Sequence, residues 1–132
     1  QVFWADPRSP AMDALVAQAW LQGLPAQYPG WNAQALAAHL DGFGLHAHLD
    51  KGFYMLSTGT RRKLLMAAAL ASGAPLTLID EPVAGLDRAS LRYLCQALAD
   101  TAQAPDRALV VAHYEALEGV PWRAAMELPE LG

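Results

Sequence analysis

The sequence contains a single cysteine, Cys95, so no disulfide can form within the chain. A lone cysteine fits a reducing compartment, and we expect a cytosolic location. The sequence also has no long uninterrupted apolar run, because Ser72-Gly73-Ala74-Pro75 breaks the longest one, at 64–79. Neither side of that break approaches the ~20 apolar residues that a membrane-spanning helix needs. We therefore expect any association with a membrane to come through a partner.

An excess of positive charge is also missing. The net charge is −4 at pH 7 and the isoelectric point is about 5.4, which gives no general attraction for nucleic acid or anionic lipid. The exception is local, at Arg61-Arg62-Lys63, which could bind phosphate, although we favour solvated side chains for Arg61 and Arg62. We expect proteins as partners, and no nucleic acid.

The remaining composition is that of a folded domain. The 132 residues are 54% hydrophobic and 17% charged, which supplies enough apolar material for a buried core. The length suits one domain or part of one. No internal repeat or low-complexity tract interrupts it.

Strand and helix signals alternate along the chain. Apolar runs predict strands at 1–4, 76–79, 109–112 and 124–128, with those at 76–79 and 109–112 buried. Capping residues and apolar periodicity predict helices at 10–21, 33–40, 58–71 and 88–102, preceded by Ser9, Asn32, Ser57 and Asp87. This alternation predicts an α/β fold with a parallel sheet.

An acidic pair, Asp80-Glu81, ends the predicted strand at 76–79. Ligands of an open parallel sheet bind beyond the carboxyl ends of its strands. Asp80 there could hold Mg²⁺ through water, and Glu81 could polarise a water that attacks a phosphate. The alternative is that the pair only caps the next turn.

A second candidate site is Leu56-Ser57-Thr58-Gly59-Thr60, directly before the predicted helix at 58–71. Ser57 and the N–H groups around Gly59 could bind an anion at the positive end of the helix dipole. The alternative is a serine-capped helix without a ligand. The phosphate loop G-x-x-x-x-G-K-[ST] does not occur in these residues, whose only lysines are Lys51 and Lys63.

Four motifs in one order carry a family resemblance. They are 56–60, the run 76–82, Ala84-Gly85-Leu86-Asp87, and Val110-Val111-Ala112-His113. Together they resemble the ATP-binding cassette (ABC) ATPases. The resemblance implies an α/β P-loop NTPase fold, with part of a RecA-like parallel sheet and an ABC α-helical subdomain. We expect the C-terminal portion of such a nucleotide-binding domain: a Q-loop region at 1–8, the helical subdomain at 9–73 and part of the core at 74–132.

The resemblance also implies the roles of individual residues. Asp80 is the Walker B aspartate that organises Mg²⁺, Glu81 is the catalytic carboxylate, and His113 is the switch histidine at the γ phosphate. Asp87 belongs to the D-loop. The signature loop, Ser57, Thr58, Gly59 and Thr60, acts on ATP held by a second ABC subunit in a head-to-tail dimer. ATP and Mg²⁺ are the implied ligands.

The segment 2–8 resembles the Q-loop region, with Trp4 in place of the expected glutamine. In such transporters the neighbouring helical subdomain contacts a membrane subunit. The aromatic residues Trp4, Trp20, Tyr28 and Trp31 could contribute to that contact or to the core, and we favour the core. His39, His46 and His48 are expected on the surface, without a metal.

The leading hypothesis is an ATP-hydrolysing subunit of an ABC transporter, held at the cytoplasmic face of the membrane by permease subunits. On this hypothesis the present chain alone hydrolyses ATP poorly or not at all. Two alternatives remain: a soluble ABC-type ATPase outside transport, and a non-catalytic ABC-like remnant that acts as an interaction module.

Overall fold

A computed structural model describes residues 1–112 and 120–122. It contains three strands, β1 (Val2–Phe3), β2 (Leu76–Asp80) and β3 (Ala108–Ala112). The α-helices are α1 (Ala17–Gly23), α2 (Ala33–Gly42), α3 (Thr58–Ala71) and α4 (Arg88–Thr101), and short 3₁₀ turns lie at Pro10–Ala14, His46–His48 and Phe53–Met55. Two predicted features, His113 and the strand at 124–128, lie outside the described residues.

The three strands form a parallel sheet in the order β1-β2-β3, which confirms the predicted α/β class. The central strand β2 buries Thr77 and Ile79 but leaves Leu76 and Leu78 half-exposed, so it is fully buried on one face rather than two. β3 was predicted to be buried, which is wrong: Val110 is 51% exposed. Among the described elements, β3 packs extensively only against β2, at the edge of the sheet.

Helix α3 forms the centre of the core. All of its positions from Leu64 to Ala71 are buried, between α2 on one side and β2 on the other. The helix ends before Gly73, whose φ of +66° places it in the left-handed region. The predicted range of this helix is confirmed.

The predicted caps at α2 and α4 are also confirmed. The Asn32 side chain accepts a hydrogen bond from the Ala35 N–H at 2.9 Å. Asp87 accepts one from the Ser90 N–H at 3.2 Å. Each cap satisfies an N–H that has no partner inside its own helix.

The predicted helix at 10–21 is wrong. A 3₁₀ turn at Pro10–Ala14 and the short helix α1 stand in its place, separated by Leu15 and Val16 in extended conformation. Two backbone bonds there go to a distant segment: the Ala17 N–H donates to the Lys51 carbonyl oxygen at 3.0 Å, and the Phe53 N–H donates to that of Leu15 at 2.9 Å. Apolar periodicity could not reveal this competing partner.

The prediction that the four aromatic residues belong to the core is confirmed for three of them. Trp20, Tyr28 and Trp31 are partly buried against the hydrophobic core, whereas Trp4 is 56% exposed. Within residues 1–112 and 120–122, no helix is long and apolar enough to cross a membrane.

Candidate functional site

The acidic pair lies at the carboxyl end of the central strand, as its sequence position predicted. Asp80 is the last residue of β2 and is in register with Ala112, the last residue of β3. The Glu81 N–H donates to the Ala112 carbonyl oxygen at 2.9 Å, which extends the ladder by one bond. Ala112 directly precedes His113, so the sequence-predicted histidine follows the residue to which Glu81 is bonded.

Glu81 has an unusual backbone conformation. Its φ is +50°, and no other non-glycine residue has a positive φ in the part of the chain that the structure describes. The left-handed region costs a residue with a Cβ energy, commonly about 1–3 kcal/mol, and persists only where the surroundings enforce it. The next residue, Pro82, is buried.

Arg62 helps to hold Glu81 in this left-handed conformation. Its Nη1 donates to the carbonyl oxygen of Asp80 at 3.2 Å and to that of Glu81 at 2.8 Å. The favoured prediction that Arg61 and Arg62 are solvated is wrong, because Arg62 is buried on α3 where the helix packs on β2. The sequence contains the arginine, but only the packing of α3 on β2 reveals its partners.

Arg61, the neighbouring residue of α3, has different partners. Its guanidinium donates to the Asp13 carboxylate at 2.6 Å and to the Ser9 carbonyl oxygen at 2.7 Å. It also lies over the Phe53 ring, 5.6 Å from the centroid. Arg61 therefore joins α3 to the first 3₁₀ turn, away from the acidic pair.

The N-terminal segment also reaches the acidic pair. Arg8 Nη2 lies 3.4 Å from Asp80 Oδ2, and the Arg8 N–H donates to the Asp6 carboxylate at 2.9 Å. That N–H is the main cause that holds the pKa of Asp6 below its ordinary value. Sequence reasoning placed 2–8 in a Q-loop region but did not anticipate this contact with Asp80.

The donor set at Asp80 fits a magnesium ion that keeps most of its water. The Asp80 side chain is 36% exposed, so its carboxylate is open to solvent. No group of three or more potential ligands from His, Cys, Asp and Glu occurs in the described ranges. One carboxylate with water and phosphate oxygens is the coordination that Mg²⁺ commonly takes at phosphate sites.

The predicted signature segment forms the start of α3. Ser57 Oγ accepts a hydrogen bond from the Thr60 N–H at 3.1 Å and donates to Thr60 Oγ1 at 3.0 Å, so the serine is a true helix cap. Ser57 and Thr58 are exposed, whereas Gly59 and Thr60 are buried. The side of the segment that a ligand could reach is therefore formed by Ser57 and Thr58.

Gly59 is buried because Gly85 lies against it. A Cβ built on Gly59 would overlap the Gly85 carbonyl oxygen, and one built on Gly85 would lie 3.1 Å from the Gly59 nitrogen. Gly85 has a φ of +76°, a conformation that favours glycine. The structure thus brings the predicted signature segment and the predicted D-loop, 84–87, into direct contact.

Asp87 caps α4 at the end of that D-loop segment. Hydrogen bonds from Ser90, from its side chain first and then its backbone, hold the pKa of the Asp87 carboxyl below its ordinary value. Asp87 is exposed. It is an ionised carboxylate beside the signature segment at neutral pH.

The three histidines of the helical region differ from one another. His46 is exposed and bonds to Asp41 at 2.6 Å, and His48 lies 3.1 Å from Lys51 Nζ. His39 and His48 are both half-buried, so of the three predicted surface histidines only His46 is exposed; His39 Nδ1 lies 2.7 Å from the Tyr93 hydroxyl. Burial lowers the pKa of His39, and Arg107 adds to that effect.

A parallel sheet whose central strand ends in Asp80-Glu81, with α3 and the segment 84–87 packed beside it, has the fold of a P-loop NTPase domain of the ABC class. A solved structure described as the ATP-binding subunit of an ABC transporter superposes with a TM-score of 0.65 over 77% of this chain and 44% of its own, at 23% identity. That similarity shows the fold.

Sequence comparison identifies the relatives. The cytochrome c biogenesis ATP-binding export protein CcmA of Sphingopyxis alaskensis is 38% identical over 86 residues, which are 65% of this chain and 44% of CcmA. The ABC transporter ATP-binding protein ModF of Escherichia coli is 48% identical over 61 residues, 46% of this chain and 12% of ModF. The chain is homologous to ATP-binding proteins of ABC transporters and spans less than half the length of these relatives. No protein-family model matches it.

Proposed function

We propose that the protein is an ATP-hydrolysing subunit of an ABC transporter, in which hydrolysis drives a substrate through separate membrane subunits. The observation that carries this proposal is the acidic pair Asp80-Glu81 at the carboxyl end of β2, fastened to the helix that begins with the signature segment. Both proposed phosphate-handling elements are thus joined in one packed unit. An overall negative charge agrees with a function that does not involve nucleic acid.

In the proposed reaction, Glu81 polarises the water that attacks the γ phosphate of ATP, and Asp80 organises Mg²⁺ through water. His113 contacts the γ phosphate. Mg²⁺, when bound near Asp80, would supply positive charge to the phosphates. Positioning and charge stabilisation supply most of the catalysis in phosphoryl transfer. The fixed conformation of Glu81 would contribute the positioning of its carboxylate.

The signature segment acts in trans on this proposal. Ser57, Thr58, Gly59 and Thr60 close on ATP held by a second ABC subunit in a head-to-tail dimer, and Asp87 lies at the interface between the subunits. The exposure of Ser57, Thr58 and Asp87 supports such a contact. Gly59 contributes by allowing the D-loop segment to lie against the signature segment.

We assign residues 1–8 to the Q-loop region, 9–73 to the helical subdomain and 74–132 to the core. Support comes from Arg8, which reaches Asp80 from the first segment, and from α3, which joins the helical part to β2. Trp4, in the expected place of the glutamine, is exposed, and it is Arg8 that contacts Asp80.

A permease subunit is the proposed membrane partner, and it would hold the protein at the cytoplasmic face. An apolar ridge on the helical region suits this contact; it consists of Leu15, Val16, Tyr54 and Met55, which are 40–72% exposed. Hydrogen bonding between the Leu15 carbonyl oxygen and the Phe53 N–H keeps the two halves of the ridge adjacent. Exposed apolar patches of this kind often mark protein contacts.

The test is ATP hydrolysis by the full-length protein that contains these residues. Wild type is compared with Glu81→Gln and with the isolated 132-residue chain. We expect activity in wild type, its loss in Glu81→Gln, and little or none in the isolated chain. If the full-length protein neither binds nor hydrolyses ATP, the non-catalytic remnant replaces this proposal.

A further inference from the structure

We infer that Arg62 is a positioning residue for Glu81, one that holds the catalytic carboxylate in place through its backbone rather than by touching ATP. This inference rests on the proposed function. Its basis is the single guanidinium nitrogen Nη1, which donates to the carbonyl oxygens of both Asp80 and Glu81. The signature helix thereby sets the geometry of the acidic pair.

The two accepting oxygens belong to the peptide groups on either side of the Glu81 Cα. A rotation about φ or ψ of Glu81 changes the position of one oxygen relative to the other, so one donor bonded to both restrains the two angles together. The Glu81 N–H adds a third restraint through the Ala112 carbonyl oxygen. These bonds account for a glutamate held at a φ of +50°, a conformation that persists only under restraint.

The burial of Arg62 argues that the bonds matter. The residue is 8% exposed, and its Nε is buried without a hydrogen-bond partner in the part of the chain described here. Burying a guanidinium is costly unless its donors are used, so an apolar residue would fill this position more easily. At this position Arg62 makes two hydrogen bonds, to the carbonyl oxygens of Asp80 and Glu81.

The experiment uses the full-length protein with three substitutions. Arg62→Met fills much the same volume without donors, and Arg62→Lys keeps a charge that can reach only part of the bonding geometry. Arg92→Gln, at an exposed arginine on α4, is the control for a lost positive charge. Steady-state kcat and KM for ATP, equilibrium binding of ATP in the presence of Mg²⁺, and thermal unfolding are measured for each.

A displaced Glu81 slows the chemical step while leaving nucleotide binding intact. We expect kcat per ATP-binding site to fall about 10- to 100-fold in Arg62→Met, with KM and the ATP dissociation constant changed by about twofold or less. Arg62→Lys should lie between Arg62→Met and wild type, and Arg92→Gln should match wild type.

Two results would overturn the inference while the proposed function stands. One is an unchanged kcat per binding site in Arg62→Met. The other is a loss of activity that only follows the loss of folded, ATP-binding protein, which is what a purely structural arginine predicts. If Arg62→Met does not fold, Arg62→Lys decides by the same criterion. Absence of ATP hydrolysis in wild type would instead remove the proposed function, and the inference with it.

Discussion

The backbone of Gly59, at the start of α3, lies against the backbone of Gly85, with no room between them for a Cβ on Gly59. One glycine belongs to the predicted signature segment and the other to the predicted D-loop. Their contact joins two segments that the proposed mechanism places at the interface between subunits. The contact requires a glycine at position 59, and the left-handed φ of +76° favours one at position 85.

Adding a methyl group at this contact should destabilise the protein. In Gly59→Ala the new Cβ forces the Gly85 backbone away, and Gly85→Ala carries the cost of the left-handed conformation, about 1–2 kcal/mol. Gly23→Ala is the matched control because nothing lies within 4 Å of the position where its Cβ would be. Thermal unfolding should show a lower midpoint temperature for Gly59→Ala and Gly85→Ala, but not for Gly23→Ala. Equal midpoints for Gly59→Ala and Gly23→Ala would contradict the contact.

Arg107 should be one of the residues most important for stability. Its guanidinium donates to the carbonyl oxygens of Ala69, Leu70 and Ala74 and to Thr77 Oγ1, at 2.8–3.1 Å, and so satisfies the end of α3 and ties it to β2. We expect Arg107→Gln to lower the free energy of unfolding by about 2–4 kcal/mol. Denaturant unfolding of Arg107→Gln, with Arg92→Gln as the exposed control, measures this. A loss of unfolding free energy no larger than that of Arg92→Gln would refute the prediction.

His39 should make the protein less stable in mild acid. Burial lowers its pKa from 6.5, so the unfolded chain binds a proton at a higher pH than the folded chain does. The stability that the neutral ring contributes is complete above the unfolded pKa and is lost as pH falls from there towards the folded pKa. Unfolding free energies at about pH 7.5 and about pH 5.5 should differ more in wild type than in His39→Gln. An equal acid sensitivity in both proteins would contradict this account.

Asp80 should determine the magnesium requirement. If it organises the ion through water, Asp80→Asn weakens magnesium binding about 10- to 100-fold without preventing folding. The measurement is ATP hydrolysis by the full-length protein as a function of Mg²⁺ concentration. Asp106→Asn, at an exposed position before β3, is the control. An unchanged magnesium dependence in Asp80→Asn would remove Asp80 from the metal site.

Local signals predicted the parts of the fold that depend on local structure. Asn32, Ser57 and Asp87 were recognised as caps from their types and spacing, and each caps the helix that follows it. The strand at 76–79 and its acidic end were predicted because a short apolar run bounded by turn residues is typical of a buried strand. The parallel arrangement followed from the alternation of strands and helices.

Long-range packing decided the rest. Leu15 and Val16 fit a helical period, but the Leu15 carbonyl oxygen and the N–H groups of Ala17 and Gln18 bond to the segment 49–53 instead. Arg62 was expected in solvent because arginine usually is, and only the packing of α3 on β2 turns it towards the acidic pair. The left-handed conformation of Glu81 likewise depends on Arg62 and Ala112, which are distant in sequence.

The measurement that tests the central claim most directly is the identity of the nucleotide that the full-length protein retains after incubation with ATP and Mg²⁺. If Glu81 is the catalytic carboxylate, Glu81→Gln should retain ATP in a dimer, whereas wild type should release phosphate and retain ADP or nothing. A Glu81→Gln protein that converts ATP to ADP at the wild-type rate would contradict the account.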